Sequence, residues 1–137
     1  MYLFDASSIV NLVKRGIVTP FAYGVTIDLA LYETLNAIWK EYKLLRKIDR
    51  NTALTFIDVI KDVFNVIRVV SIRGLEKEVF NIASKENLTI YDASYIYIAK
   101  RDKLILVTDD RKLEEKASKY VRVVSSKELA FLPLRYF

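Results

Sequence analysis

Short, wholly apolar runs alternate along this chain with longer stretches in which apolar residues recur every three or four positions. Tyr2-Leu3-Phe4, ending at Asp5, reads as a very short buried strand. Val66 to Val70 is β-branched and short, Leu104 to Val107 is apolar throughout, and Val121 to Val124 is similar, so each predicts a strand. Between them the spacing changes to a helical one. Helices are expected over Ser7–Lys14, from about Asp28 to Arg46, from near Asn51 to Asn65, over Leu75–Lys85 and over Arg111–Lys119. Thr89-Ile90-Tyr91-Asp92 has capping-box form and opens a further helix to about Lys100. The segment from Gly16 to Gly24 is punctuated like a loop with a short helix.

Continuous apolar strands separated by helices imply a parallel sheet covered on both faces, a three-layer α/β/α sandwich. The 137 residues fit one domain, with no internal repeat or linker to divide them. The longest charge-free run, Gly16 to Ile27, has 12 residues and contains Pro20 and Gly24, too short and broken to cross a bilayer. The amino terminus lacks the order of a signal peptide, so a chain acting in the cytoplasm, with no membrane partner, is expected.

Composition narrows the chemistry. The chain has no cysteine and no histidine, which excludes disulfides, Cys- or His-ligated zinc, thiol nucleophiles and an imidazole base. Gly16, Gly24 and Gly74 are too scattered for a phosphate-binding loop. The net charge of +5 favours a polyanionic partner such as nucleic acid. An enzyme built from this set must use carboxylates, hydroxyls, amines or an oxygen-ligated metal.

Open parallel sheets bind ligands beyond the carboxyl ends of their strands. Asp5 follows the first strand and Asp109-Asp110 follows Leu104–Val107. Asp92 opens the helix that runs back to that same strand, and therefore starts at the same edge. Acids gathered there repel one another unless a cation neutralises them, and Mg²⁺ or Mn²⁺ with oxygen ligands suits the donors available. Each acid also has a plain structural reading as a helix cap or first-turn acid. Glu33 shares a helix face with Leu29, Asn36, Ala37 and Lys40, and periodicity leaves a solvated face open for it.

Four segments together resemble the PIN-domain ribonucleases, and within them the VapC-type toxins of prokaryotic toxin–antitoxin pairs. They are Leu3-Phe4-Asp5-Ala6-Ser7-Ser8, Leu31 to Ala37 around Glu33, Tyr91-Asp92-Ala93-Ser94-Tyr95, and Leu106 to Leu113 around Asp109-Asp110. The resemblance implies a PIN-like sandwich with an acidic quartet of Asp5, Glu33, Asp92 and Asp110 holding Mg²⁺ or Mn²⁺. Its Thr-x-Asp pattern selects Asp110, with Asp109 kept as a further metal ligand. Ser7, Asn36 and Thr108 would support the acids. It also implies an RNA substrate, a cognate antitoxin and a homodimer; the alternative is a non-catalytic PIN-like module that binds RNA or protein. Lys14, Arg15, Lys40, Arg111 and Lys112 are candidate phosphate guides. Tyr91, Tyr95 and Tyr97 are read as packing residues before base-stacking ones. The apolar terminus, Leu129 to Phe137, is expected to pack on the domain's own sheet, or else to serve an interface. A phosphoryl-accepting domain with Asp5 as nucleophile is disfavoured, because Ser7 stands where such a pattern needs a second acid.

Overall fold

The computed structural model describes residues 1–132; the last five positions of the apolar terminus lie outside the described residues. Five parallel strands, β1 (Tyr2–Phe4), β2 (Gly24–Ile27), β3 (Arg68–Val70), β4 (Ile105–Val107) and β5 (Val123–Val124), form one sheet in the order β3-β2-β1-β4-β5. The helices are α1 (Ala6–Lys14), α2 (Leu29–Lys43), α3 (Arg50–Val66), α4 (Glu76–Glu86), α5 (Ile90–Asp102), α6 (Arg111–Ala117) and α7 (Ser126–Ala130). A 3-10 helix, Thr19–Tyr23, precedes β2. Helices α1, α2, α3 and α7 pack among themselves, and α4 packs on α5. The strand order reverses between β1 and β4, and because parallel crossovers are right-handed as a rule, the two groups fall on opposite faces of the sheet, the three-layer sandwich expected.

The central strands are buried because both faces are covered: Leu3, Phe4, Leu106 and Val107 are fully buried and Val25 and Ile27 nearly so. Ile9, Leu12, Ile38 and Ile60 close one side, and Val79, Ile96, Ile98 and Leu113 come from α4, α5 and α6. The edges are short and more exposed. Arg68 and Val69 of β3 face solvent, which limits strand pairing with other chains.

Two elements were not anticipated. Strand β2 starts at the last residue of the stretch read as loop and runs on through Ile27, over positions assigned to no element; its four residues are all buried, but Gly24 and Thr26 mask the apolar signal. Gly24 is there because the backbone meets an aromatic ring: a Cβ on it would lie 2.6 Å from Phe4 Cε2. Thr26 is tolerated because its hydroxyl donates to the Phe4 carbonyl at 2.7 Å. Helix α7 is the second. It is only five residues long, capped by Ser125, and it buries Leu129 while packing on α1, whereas Phe131 is left exposed. Helix α2 also ends earlier than expected, at Lys43, and the chain then turns through Arg46 at φ 50°.

The strand order carries the functional consequence. From β1 the chain proceeds outward through β2 and β3, then crosses back to β4 and continues to β5 on the other side. The reversal lies between β1 and β4, and a crevice opens at their carboxyl ends.

Candidate active site

Asp5 sits where the sheet ladder runs out. Its N–H donates to the Val107 carbonyl at 3.1 Å, and its side chain turns into the crevice as the N-cap of α1, accepting from Ser8 N at 2.9 Å. Ser7 Oγ donates to both carboxylate oxygens at 2.8 and 3.0 Å, and Thr108 Oγ1 donates at 2.5 Å. Those hydroxyls are themselves held, since Ser7 Oγ accepts from Asp109 N at 3.0 Å and Thr108 Oγ1 from Asp110 N at 3.1 Å. Ser8 Oγ bonds the Val107 carbonyl at 2.9 Å and so ties α1 to β4. Asp5 is buried, and loss of solvent pushes its carboxyl up to about 6 even though Thr108, Ser8 N and Ser7 hydrogen-bond the charged form.

Asp92 is delivered by the start of α5, where Thr89 Oγ1 accepts from Asp92 N at 3.1 Å as the expected N-cap. The side chain is half-buried. Its carboxyl is raised by burial and then by the charge of Asp110, with Lys112 opposing. Glu33, one turn into α2, is raised by burial first and also by Asp92, while Tyr95 lowers it by donating to Glu33 Oε1 at 2.8 Å. The solvated-face alternative for Glu33 does not hold, because the side chain points inward to Tyr95.

The Asp109-Asp110 pair divides. Asp110 caps α6, one oxygen accepting from Lys112 N at 2.9 Å and Leu113 N at 3.1 Å, and it is the acid whose charge bears on Asp92. Asp109 turns toward α1 and α7. It accepts from Asn11 Nδ2 at 2.7 Å, from Ser126 N at 2.8 Å and from Ser126 Oγ at 2.5 Å. It is a bracket between those helices.

Sequence reasoning missed Tyr95 as a site residue. Its ring is buried, as a packing residue's should be, yet its hydroxyl lies between Glu33 and the Asp5 end of α1, and both acids push its ionisation far up, after burial. The available signal was spacing: Tyr95 follows Asp92 by three residues, so both lie on one side of α5. Asn36 is exposed on the rim, and among the described residues no hydrogen bond joins it to Glu33. Lys14, a candidate phosphate guide, is engaged by Glu41 at 2.5 Å. Lys40, Arg15, Arg111 and Lys112 are all exposed, and of these Lys40 lines the groove. The other buried acid among the described residues, Glu86, is satisfied by Lys119 and Tyr120 at the far ends of α4 and α6.

Beside the acids runs an open groove of about 370 Å³, lined by Ser7, Val10, Asn11, Glu33, Asn36 and Lys40 among others. A larger, mainly apolar hollow of about 430 Å³ lies between the 3-10 helix and α3, toward the amino ends of the strands. Among the described residues no three acids stand close enough together to form a ready-made metal cage. The donor set nevertheless suits a hard divalent cation. It is all oxygen, its acids repel one another, and Mg²⁺ characteristically takes one or two carboxylates and keeps several waters.

No family model matches the chain. Among curated proteins, Ribonuclease VapC3 of Pyrobaculum aerophilum is 36% identical over 93 residues, covering 66% of this chain and 69% of the relative. Exonuclease VapC9 of the same organism is 40% identical over 87 residues, covering 64% of this chain and 62% of the relative. The match thus spans about two thirds of these relatives' lengths. Among solved structures, PAE2754 from Pyrobaculum aerophilum superposes with a TM-score of 0.75 at 31% identity, over 93% of this chain and 92% of that one. VapBC2 from Rickettsia felis, solved bound to a DNA fragment from its promoter, gives a TM-score of 0.58 at 12% identity over 90% and 97%, a likeness of fold alone.

Proposed function

This chain belongs to the VapC family, and from that premise we propose that it is a metal-dependent endoribonuclease, the toxin of a toxin–antitoxin pair. The observation that supports the reading is a run of neighbouring groups at the carboxyl edge of the sheet: the charge of Asp110 bears on Asp92 and that of Asp92 on Glu33, and Tyr95 bonds Glu33 within reach of the Asp5 charge, beside an open groove. Asp5, Asp92 and Asp110 are the residues to hold Mg²⁺ or Mn²⁺. When bound, such an ion neutralises the acids, acidifies water and offsets charge on a phosphoryl group. Asp109 serves as the bracket, not as a ligand.

The remaining work falls to the chain itself. Ser7 and Thr108 keep the Asp5 carboxylate in one orientation at the mouth of the crevice. Glu33, elevated and half-buried, is placed to accept a proton from an attacking water, and Tyr95 keeps its other states from swinging into solvent. Lys40 guides the RNA backbone along the groove, and Lys112, near Asp92, meets a phosphate at the acids. Hydrolysis of this kind leaves a 5′ phosphate and does not use the 2′ hydroxyl as nucleophile.

Partners follow the same reading: single-stranded RNA as substrate, a small cognate antitoxin that blocks the groove, and a homodimer, for which exposed Leu44, Leu45, Leu54 and Val66 supply apolar surface. No helix among the described residues is long and apolar enough to cross a membrane; action on RNA in the cytoplasm is part of the same proposal. The name of the VapC9 relative favours one second reading, cleavage from an end. A circular single-stranded RNA and its linear counterpart, incubated with Mg²⁺ or Mn²⁺, separate the two. Opening of the circle, stopped by EDTA and by Asp92→Asn, is the expected result. Cleavage of the linear RNA alone makes the chain an exonuclease, and cleavage of neither leaves a binding module.

A further inference from the structure

Helix α2 presents the catalytic groove on one shoulder and a different surface on its solvent side. Tyr32, Asn36, Trp39 and Lys43 follow one another at helical spacing along that side, and Tyr32 and Trp39 are 73% and 48% exposed. Asn36 belongs to both surfaces, since it also lines the groove with Glu33, and Lys40 extends the groove in the same direction. The acids of this helix do not intrude: Glu33 is turned to Tyr95 and Glu41 is bound to Lys14.

We propose that this face of α2 is a binding track for single-stranded RNA flanking the cleavage site, with Tyr32 and Trp39 stacking bases and Lys40 and Lys43 meeting phosphates. The inference rests on the nuclease reading and extends it. Two exposed rings beside ammonium groups that form no ion pair among the described residues, continuous with the groove, match a polyanion that carries flat π-faces. A protein-binding centre would instead be depleted in lysine. Tyr32 and Trp39 are seven residues apart, about 10 Å along the helix axis. That spans about three stacked bases.

Trp39 is the only tryptophan in the chain, so its emission reports on this face alone. The full chain, held in EDTA so that nothing is cut, is titrated with an oligouridine of about a dozen nucleotides. Saturable quenching is expected, weakened by added salt and by Lys43→Ala, and Tyr32→Ala is expected to weaken binding about five- to 150-fold. With Mg²⁺ restored, Tyr32→Ala raises KM for the long oligomer far more than for a tetranucleotide. Cleavage by the wild type without quenching overturns the track and leaves the nuclease standing. Quenching with no cleavage in Mg²⁺ supports the track and refutes the nuclease. Emission that shifts with protein concentration and is indifferent to RNA assigns the face to a second copy, and also overturns the proposal.

Discussion

Replacing Asp5 by Asn removes a charge that the fold itself opposes. The carboxyl stands at about 6 in the native protein, against 3.8 for an ordinary aspartate. Between those values the folded state binds a proton that the unfolded state has released, so this group stabilises the fold in acid and loses that contribution as pH rises through about 6. The gap of about two pKa units corresponds to about 3 kcal/mol. Asn keeps the acceptor for Ser8 N and Ser7 but must present an amide to Thr108, which costs about 1 kcal/mol. In EDTA, urea denaturation of Asp5→Asn should therefore match or trail the wild type near about pH 4 and exceed it by about 2 kcal/mol near about pH 8. The robust quantity is the change in the difference between the two proteins, about 3 kcal/mol across that range, because Glu33 and Asp92 titrate in both. Mg²⁺ at about 100 times its dissociation constant should then add about 2.7 kcal/mol to the wild type and little to the variant, which has no RNA cleavage. Parallel pH curves for the two proteins would show that burial does not strain Asp5 as described.

Other consequences are equally direct. Tyr95→Phe keeps the buried ring but frees Glu33; kcat on RNA should fall about tenfold while urea stability falls by about 1 kcal/mol, and circular dichroism should stay native. Asp110→Asn should abolish cleavage, whereas Asp109→Asn, which meets the donors of Asn11 and Ser126 with an amide, should cost about 2 kcal/mol of stability and retain cleavage in the folded protein. An Asp109→Asn variant that is stable and inactive would return that acid to the metal. Gly24→Ala drives a methyl into the Phe4 ring and should lower stability by about 1–3 kcal/mol, read as a drop in the urea midpoint.

The period of the apolar residues was enough to reveal alternating helices and strands, and hence a parallel sheet with its ligand edge, because a doubly covered strand has no choice but to be apolar throughout. Local caps were legible for the same kind of reason: Thr89 and Asp92 announce the start of α5 in four consecutive residues. Asp5, Asp92 and the Asp109-Asp110 pair could be placed at one edge by strand direction alone. Strand β2 could not be seen, because Gly24 is chosen by the Phe4 ring and Thr26 by the Phe4 carbonyl, both partners twenty or more residues away in the chain. The same distance hid the roles at the site. The family resemblance had selected Glu33 and Asp110, but the residues' own pattern left open whether Glu33 faced water and which of Asp109 and Asp110 faced Asp92, because that depends on how α1, α2, α5 and α7 pack around the β1–β4 crevice. Periodicity orients a residue relative to its own helix axis; only the docking of that helix decides which charge, hydroxyl or solvent it meets, and with it whether a carboxylate caps, braces or reacts.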